Sequence, residues 1–184
     1  MSAHLVIGGA RSGKSRFAQQ LAEAHAKEQA GDITLIVTAE VLDAEMAARV
    51  DKHRAERPAH WHVIEAAVNL PDAISDTCKP GSFVLVDCLT LWLSNVLCTQ
   101  PDALESRMAA LYAAVLSAKG ELALVSNEVG WSIVPDNALA RAFRDEQGRL
   151  NQRIAALCER VTLVAAGLPL ILKDARERAT GKMK

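Results

Sequence analysis

One segment near the start of this sequence has the residue types and spacing that binding of a nucleotide phosphate requires. Its residues match the pattern G-x-x-x-x-G-K-[ST] at each fixed position. Gly8 and Gly13 permit backbone angles that a side chain would forbid, so successive N–H groups can turn inward around phosphates. Lys14 can reach the β- and γ-phosphates, and the Ser15 hydroxyl can ligate Mg²⁺. The segment predicts a site for a nucleoside triphosphate but leaves the reaction open. It comprises Gly8, Gly9, Ala10, Arg11, Ser12, Gly13, Lys14 and Ser15.

A carboxylate that could complete this site follows the apolar run Phe83–Val86. Asp87 stands at the predicted end of a buried strand, and ligands bind at the carboxyl ends of strands in sheets of this kind. There its carboxylate could hold Mg²⁺ through water or activate a hydroxyl. The alternative is that Asp87 is the N-cap of the helical pattern that follows.

A histidine lies on a polar stripe of a helix predicted over Asp43–Arg57. At helical spacing Glu45, Arg49, His53 and Arg57 share that stripe. Neighbouring guanidinium groups disfavour a second positive charge on the imidazole and orient phosphate groups. A neutral histidine that faces an α-phosphate could form a covalent phosphoramidate. From the residues alone, a solvated helix face is the alternative interpretation.

Two further histidines flank Trp61. Alternation along a short strand would place His60 and His62 on one face, opposite Trp61. A surface pair at a sheet edge is favoured over metal binding. Glu65 follows the same run and could contact a nucleotide with its carboxylate.

Apolar runs alternate with helical patterns along the chain, which predicts a doubly wound α/β sheet, mostly parallel and flanked by helices. We expect a single domain over residues 1–173, followed by a charged tail over 174–184, with fraying from Lys173. The predicted strands are His4–Ile7, Ile33–Thr38, Trp61–Ile64, Phe83–Cys88, Glu121–Ser126 and Val161–Ala165. The predicted helices are Ser15–Gln29, Asp43–Arg57, Leu89–Leu97, Leu104–Ala118 and Asn137–Arg160. In the last helix Leu139, Phe143, Leu150, Ile154 and Leu157 fall mostly on one face.

Composition excludes several classes of protein. The 184 residues carry a net charge of -1 and are 50% hydrophobic, so nucleic acid is not the expected partner. The four cysteines have no metal-ligand spacing and are expected to be free thiols in a reducing compartment. No signal peptide is evident, and the longest apolar stretch, Val161–Leu172, is too short for a membrane span. We therefore expect a soluble, cytoplasmic protein.

Four motifs occur in a fixed order along the chain, and the glycine-rich segment is the first. The second is Asp43-x-Glu45-Met46-x-x-Arg49-x-x-x-His53, followed by Arg57-Pro58 and Trp61. The third is Ser126-Asn127-Glu128-Val129-Gly130, followed by Ile133-Val134-Pro135. The fourth is Arg141-x-Phe143-Arg144-Asp145-x-x-Gly148-x-x-Asn151-Gln152. Together, and in this order, they resemble one family, the bifunctional adenosylcobinamide kinase/adenosylcobinamide-phosphate guanylyltransferases of cobalamin assembly. The resemblance extends from the first strand to about Lys173.

The resemblance implies a P-loop, RecA-like fold, two reactions and a homotrimer. Adenosylcobinamide would be phosphorylated with ATP or GTP, and GMP would then pass from GTP, through a guanylyl-histidine at His53, to give adenosyl-GDP-cobinamide. Catalysis would use His53, Lys14 and Asp87, and Mg²⁺ would bind Ser15 and Asp87. Besides the glycine-rich segment, the implied nucleotide contacts are Thr38, Ala39, Glu40, Arg54, Ala55, Glu56, Arg57, Glu65 and Asp87.

The chain departs from the family pattern in places. Asp87 stands where some relatives have Glu, and Lys52 where one has a second histidine, so His53 is left as the candidate nucleophile. The segment Leu168–Leu170 also departs from the expected pattern. Two other functions remain open at this point: a small-molecule P-loop kinase without a guanylyl step, and a nucleotide-dependent switch or assembly protein.

Overall fold

The computed structural model describes residues 2–29, 31–39 and 60–175, which form one seven-stranded sheet. The strand order is β3-β2-β4-β5-β1-β6-β7. The first six strands run parallel, and β7 pairs antiparallel with β6 at one edge. The strands are β1 Ser2–Gly8, β2 Ile33–Val37, β3 His62–Glu65, β4 Phe83–Asp87, β5 Glu121–Asn127, β6 Arg160–Ala165 and β7 Leu168–Asp174.

Helices cover both faces of the sheet. On one face α1 contributes Ala18 and Ala22 to a smaller core that includes Val6, Leu85 and Val125. On the other face the remaining helices pack against a larger core. The mostly parallel, doubly wound fold predicted from the sequence is confirmed. The helices are α1 Lys14–Gln29, α2 Leu70–Thr77, α3 Leu89–Thr99, a 3₁₀ turn Pro101–Ala103, α4 Leu104–Ser117 and α5 Ala138–Leu157.

The central strands are continuous apolar runs because both of their faces are buried. In β4, for example, Phe83–Val86 are all buried, and alternate residues enter the smaller and the larger core. The same alternation decides on which face of the sheet the last side chain of each strand lies.

Two predicted boundaries and one predicted side-chain placement are wrong. The last helix ends at Leu157, and Arg160 already belongs to β6. Leu139, expected on its apolar face, is 65% exposed. The short strand begins at His62, and Trp61 is buried just before it. The helix predicted over Asp43–Arg57 lies outside the described residues.

Two elements were not predicted. Helix α2 has only eight residues and carries Pro71 in its first turn. Strand β7 follows a two-residue turn in which Ala166 and Gly167 have φ values of 52° and 79°. Positive φ at both central residues is what a type I′ hairpin turn requires. Pro169 is tolerated because edge strands have unpaired positions.

The C-terminal part of the described chain is held in place. Lys173 Nζ donates hydrogen bonds to the carbonyl oxygens of Ala155 and Ala156, and Ala175 N donates to Glu159 O. The fraying expected from Lys173 is therefore wrong for residues 173–175, while residues 176–184 lie outside the described chain. Strand β7 runs to Asp174, and the division into one domain and a tail stays a prediction. Among the described helices, none is both long and apolar enough to cross a bilayer.

Candidate active site

The glycine-rich segment connects the carboxyl end of β1 to the first turn of α1. Gly8 is the last residue of β1, and α1 begins at Lys14. The amide of Ser12 donates to Gly9 O at 3.3 Å, and Phe17 N donates to Gly13 O at 3.0 Å as the helix starts. The helix N-terminus and its unpaired amides therefore lie at the carboxyl edge of the sheet, where they favour an anionic group.

Glycine is required at the two fixed glycine positions of the motif, Gly8 and Gly13, for different physical reasons. Gly13 has φ 95°, in the left-handed region that favours glycine, as expected. Gly8 is not in that region, so the reason proposed for it from the sequence is wrong. A Cβ at Gly8 would stand 2.4 Å from Val164 O and 2.6 Å from Ser12 Oγ. Gly8 is required by close packing of β1 against β6 and the loop.

The side chain of Lys14 lies over the loop. It is 9% exposed, and its Nζ donates to Gly9 O at 3.2 Å. The hydroxyl of Ser12 is buried and makes no hydrogen bond with the described residues. Ser15, one residue into α1, is half-buried. A bound phosphate could take the place of the Gly9 carbonyl as the partner of Lys14.

The β6–β7 turn supports the loop from the other side. Gly167 N donates to Ser12 O at 2.8 Å. A Cβ at Gly13 would be 3.2 Å from Gly167 Cα, so the two backbones are in close contact. The loop is thus held by its own helix and by a hairpin at the far end of the chain.

Two predicted carboxylates end the strands on either side of β2, at the same edge of the sheet. Val37 of β2 pairs with both Glu65 of β3 and Asp87 of β4. Leu85, two residues before Asp87, packs in the smaller core beneath α1, and Val37 packs against that core. Because side chains alternate along a strand, Asp87 and Glu65 lie on the α1 face. Register therefore brings both acids to the edge and face where α1 begins.

Thr38 holds the end of β4. Its side chain is fully buried, and its hydroxyl donates to Cys88 O at 2.7 Å and accepts from Cys88 N at 3.0 Å. Thr38 N donates to Asp87 O at 3.2 Å, and Asn95 Nδ2 donates to Thr38 O at 2.8 Å. These bonds fix the backbone on the carboxyl side of Asp87. A nucleotide contact by Thr38 or by the half-buried Ala39 stays a prediction.

The pKa of Cys88, which follows Asp87 in the chain, depends on the charges at this edge of the sheet. Burial raises the pKa of the Cys88 thiol to about 11, with a further increase from Asp87 and an opposing effect from Lys14. Both charges therefore act at the end of β4. Burial also raises the pKa of Cys158 to about 12. Neither thiol is a nucleophile near neutral pH. All four cysteines are free, as expected.

The predicted nucleophile and its neighbours lie outside the described residues. The structure therefore does not test their positions, and their roles stay predictions. They are Glu40, His53, Arg54, Ala55, Glu56 and Arg57.

The sequence interpretation missed a buried polar network at the end of β5. Ser126 Oγ donates to Asn151 Oδ1 at 2.6 Å, and Gln147 Nε2 donates to both of those oxygens, at 3.0 and 2.9 Å. Asn151 Nδ2 also donates to Asn127 O at 3.0 Å. Ser126 belongs to the third motif and Asn151 to the fourth. The presence of both motifs in one chain was the signal in the sequence that could have indicated this network.

Comparisons with known proteins agree on one family. The family model described as "Cobinamide kinase / cobinamide phosphate guanyltransferase" matches residues 4–172. The "Bifunctional adenosylcobalamin biosynthesis protein CobP" of Pseudomonas aeruginosa is 45% identical over 170 residues, covering 92% of this chain and 96% of that protein. The "Bifunctional adenosylcobalamin biosynthesis protein CobU" of Escherichia coli is 38% identical over 183 residues, covering 92% and 98%.

A solved structure is also similar to this chain. It is that of a KaiC-like protein from Pyrococcus horikoshii, with 12% identity and a TM-score of 0.49, covering 88% of this chain and 70% of that one.

Proposed function

The chain belongs to the cobinamide kinase / cobinamide phosphate guanyltransferase family, and on that premise we propose two successive reactions for it. It phosphorylates the terminal hydroxyl of the aminopropanol arm of adenosylcobinamide with ATP or GTP. It then transfers GMP from GTP to that phosphate, giving adenosyl-GDP-cobinamide and pyrophosphate. Both reactions are group transfers from a nucleotide held in the same loop.

The observation that carries the proposal is the convergence of three groups at one edge and one face of the sheet. The loop leads into α1 with Lys14 over it, while Asp87 and Glu65 end the two strands that flank β2, on the α1 face. Such a site offers amide donors and an ammonium to phosphates, and carboxylates to a hydroxyl or a cation. The remaining proposed nucleotide contacts are those named above from the family motifs.

In the phosphorylation step, the substrate hydroxyl oxygen forms a bond to the γ-phosphorus while the bond to the β,γ-bridging oxygen breaks. Lys14 stabilises the negative charge on the transferred group. Asp87 is the candidate acceptor of the hydroxyl proton, and the Thr38–Cys88 hydrogen bonds hold it in place. The nucleoside diphosphate leaves.

We propose Mg²⁺ as the cation of this site. The half-buried Ser15 hydroxyl and the half-buried Asp87 carboxylate are hard oxygen donors. Mg²⁺ commonly binds one or two protein oxygens and takes its other ligands from phosphates and water. When bound, the ion would neutralise phosphate charge.

In the guanylyl step, His53 is the nucleophile. A neutral imidazole nitrogen attacks the α-phosphorus of GTP, and the bond to pyrophosphate breaks. An oxygen of cobinamide phosphate then attacks the same phosphorus and displaces the histidine nitrogen. Two displacements let one nucleotide pocket serve a very large acceptor.

The test of this step is incubation with α-labelled GTP and Mg²⁺, followed by denaturation and intact-mass analysis. We expect a guanylyl adduct that is acid-labile and base-stable, because a phosphoramidate has those properties. It should be absent in His53→Ala and present in the control His60→Ala, a substitution at an exposed histidine. A wild-type protein that binds GTP but forms no adduct would refute the covalent step and leave a P-loop kinase.

The two activities should separate in variants. His53→Ala should lower guanylyl transfer by about 10³-fold or more, since a nucleophile is removed, while much of the phosphorylation remains. Lys14→Ala should damage both reactions, because both nucleotides use the loop. Initial rates with γ-labelled ATP and α-labelled GTP measure each step. Equal loss of both in His53→Ala would contradict this division of roles.

We also propose that the protein is a cytoplasmic homotrimer. Support for self-association comes from β7, the edge strand, where Leu168, Leu170, Ile171 and Leu172 are each more than half exposed. Exposed apolar edge strands favour pairing with another chain. Free thiols are typical of a reducing compartment. Light scattering of the wild type and of Leu170→Lys measures the oligomer, and a monomeric wild type would refute it.

A further inference from the structure

The end of β5 occupies the centre of the proposed site, yet neither reaction described above uses it. β5 lies between β4, which ends at Asp87, and β1, which ends at Gly8. Val125 pairs with Asp87, and Asn127 pairs with Gly8. The next amide, Glu128 N, donates to Gly8 O at 3.0 Å. The β5 end is therefore attached to the first residue of the phosphate loop.

Alternation places Asn127 on the same face as α1. Ala123 and Val125 pack in the smaller core with Ala18 and Ala22 of α1. Two residues further along, the side chain of Asn127 leaves the strand on that same face. Gly8, its neighbour in register, has no side chain to separate Asn127 from the loop. Asp87 lies on the same face one strand away.

Buried side chains hold both backbone groups of Asn127. Its N–H donates to Thr90 Oγ1 at 2.8 Å, and its carbonyl accepts from Asn151 Nδ2 at 3.0 Å. Asn151 is itself bonded to Ser126 and Gln147, which are both fully buried. Buried polar groups are favourable when they are hydrogen-bonded, and these bonds restrict the backbone of Asn127. Within this network Gln147 Oε1 is buried without a partner among the described residues. Hydrogen bonds to buried side chains therefore fix both the N–H and the C=O of Asn127.

The side chain of Asn127 is available for a ligand. It is partly exposed, and its amide makes no hydrogen bond with the rest of the described chain. An Asn amide has two N–H donors and needs no change of protonation to use them. Donors fixed toward a group that gains negative charge stabilise the transition state without reorganisation.

We propose that Asn127 is a further catalytic residue of the phosphorylation step. Its Nδ2 donates a hydrogen bond to a nonbridging oxygen of the γ-phosphoryl group as that group passes from the nucleotide to the substrate hydroxyl. Asn127 neither gains nor loses a proton; the hydroxyl proton leaves as described above. This inference rests on the proposed function and adds to it the residue that contacts the transferred group.

The test compares Asn127→Ala and Asn127→Asp with the wild type and with Gln20→Ala, which removes an exposed amide of α1. Asp has nearly the shape of Asn but lacks the donors and repels phosphate. Phosphorylation of cobinamide with γ-labelled nucleotide gives kcat. Titration with a non-hydrolysable nucleotide analogue gives Kd, and thermal unfolding gives Tm.

We expect kcat to fall by about 10²-fold in Asn127→Ala and further in Asn127→Asp. Because the bond strengthens in the transition state, Kd should change much less than kcat in Asn127→Ala, and Tm should stay close to that of the wild type. Gln20→Ala should match the wild type in all three. These results would support the inference.

Two results would overturn the inference alone. One is an active wild type with an Asn127→Ala variant of similar kcat. The other is a kcat loss matched by equal losses in affinity and Tm, which would mean that Asn127 only supports the loop. A wild type that binds nucleotide and does not phosphorylate cobinamide would overturn the proposed function, and the inference with it.

Discussion

Replacement by alanine should destabilise the protein at Gly8 but not at Gly9, because only Gly8 is closely surrounded by other atoms. In Gly8→Ala the new Cβ would be placed 2.4 Å from Val164 O and 2.6 Å from Ser12 Oγ. In Gly9→Ala the new Cβ would have no heavy atom within 4 Å. Neither glycine is in the left-handed region, so backbone conformation does not separate the two variants.

The magnitude follows from what must move at Gly8. Carbon–oxygen contacts in proteins are about 3.3 Å, so the Val164 carbonyl must retreat by about 0.9 Å. That oxygen belongs to the backbone of β6, which is paired with β1 through Ile7 and Leu163. The strand cannot rotate away as a side chain would. Overpacking of this kind costs about 1–3 kcal/mol. The change at Gly9 should stay within about 0.5 kcal/mol.

Urea unfolding of the nucleotide-free proteins measures the difference. The buried indoles of Trp61 and Trp92 provide the fluorescence signal. We expect Gly8→Ala to unfold at lower urea with an unchanged m value, and Gly9→Ala to follow the wild type. Equal free energies of unfolding for the two variants would refute the reasoning, because the β1–β6 contact would then be able to relax without cost.

Two further predictions concern the hairpin turn and the thiols. Ala166→Asn should stabilise the protein by about 0.5–1 kcal/mol, because Asn tolerates the left-handed φ of 52° better than Ala does. Thermal unfolding should show a higher Tm than in the control Ala165→Asn, and a Tm no higher than the wild type would contradict the turn assignment. At pH 8 the exposed Cys98 should react with Ellman's reagent much faster than the three buried cysteines, since a pKa of about 11 leaves Cys88 almost wholly protonated and burial blocks access. Several fast thiols in the native protein would contradict this.

The sequence was sufficient for the parts of the site that local patterns determine. The glycine-rich motif predicts a strand, a loop and a helix in that order, and Gly13 has the positive φ that the motif implies. The apolar run before Asp87 predicts a buried strand with a carboxylate at its end, and β4 ends at that residue. Both inferences use only neighbours along the chain.

The parts that were missed depend on contacts between distant segments. The steric reason for Gly8 is a carbonyl in β6, and the hydroxyl of Thr38 is bonded to the backbone of Cys88. Strand β7 is largely exposed and contains Pro169, so it shows neither the buried apolar run nor the alternation that marks a strand. Strand order and register decide such contacts, and no residue pattern in one segment specifies them.

Ser126 and Asn127 show why register matters for function. They are adjacent polar residues in one motif, and in the sequence nothing distinguishes their roles. In the sheet they point to opposite faces. Ser126 is buried and hydrogen-bonded to Asn151 and Gln147 of α5, while Asn127 faces the side on which α1 and the phosphate loop lie. The same strand end therefore contributes a structural group on one face and a candidate catalytic group on the other. The polar residues of the fourth motif therefore hold the third motif in register with the phosphate loop.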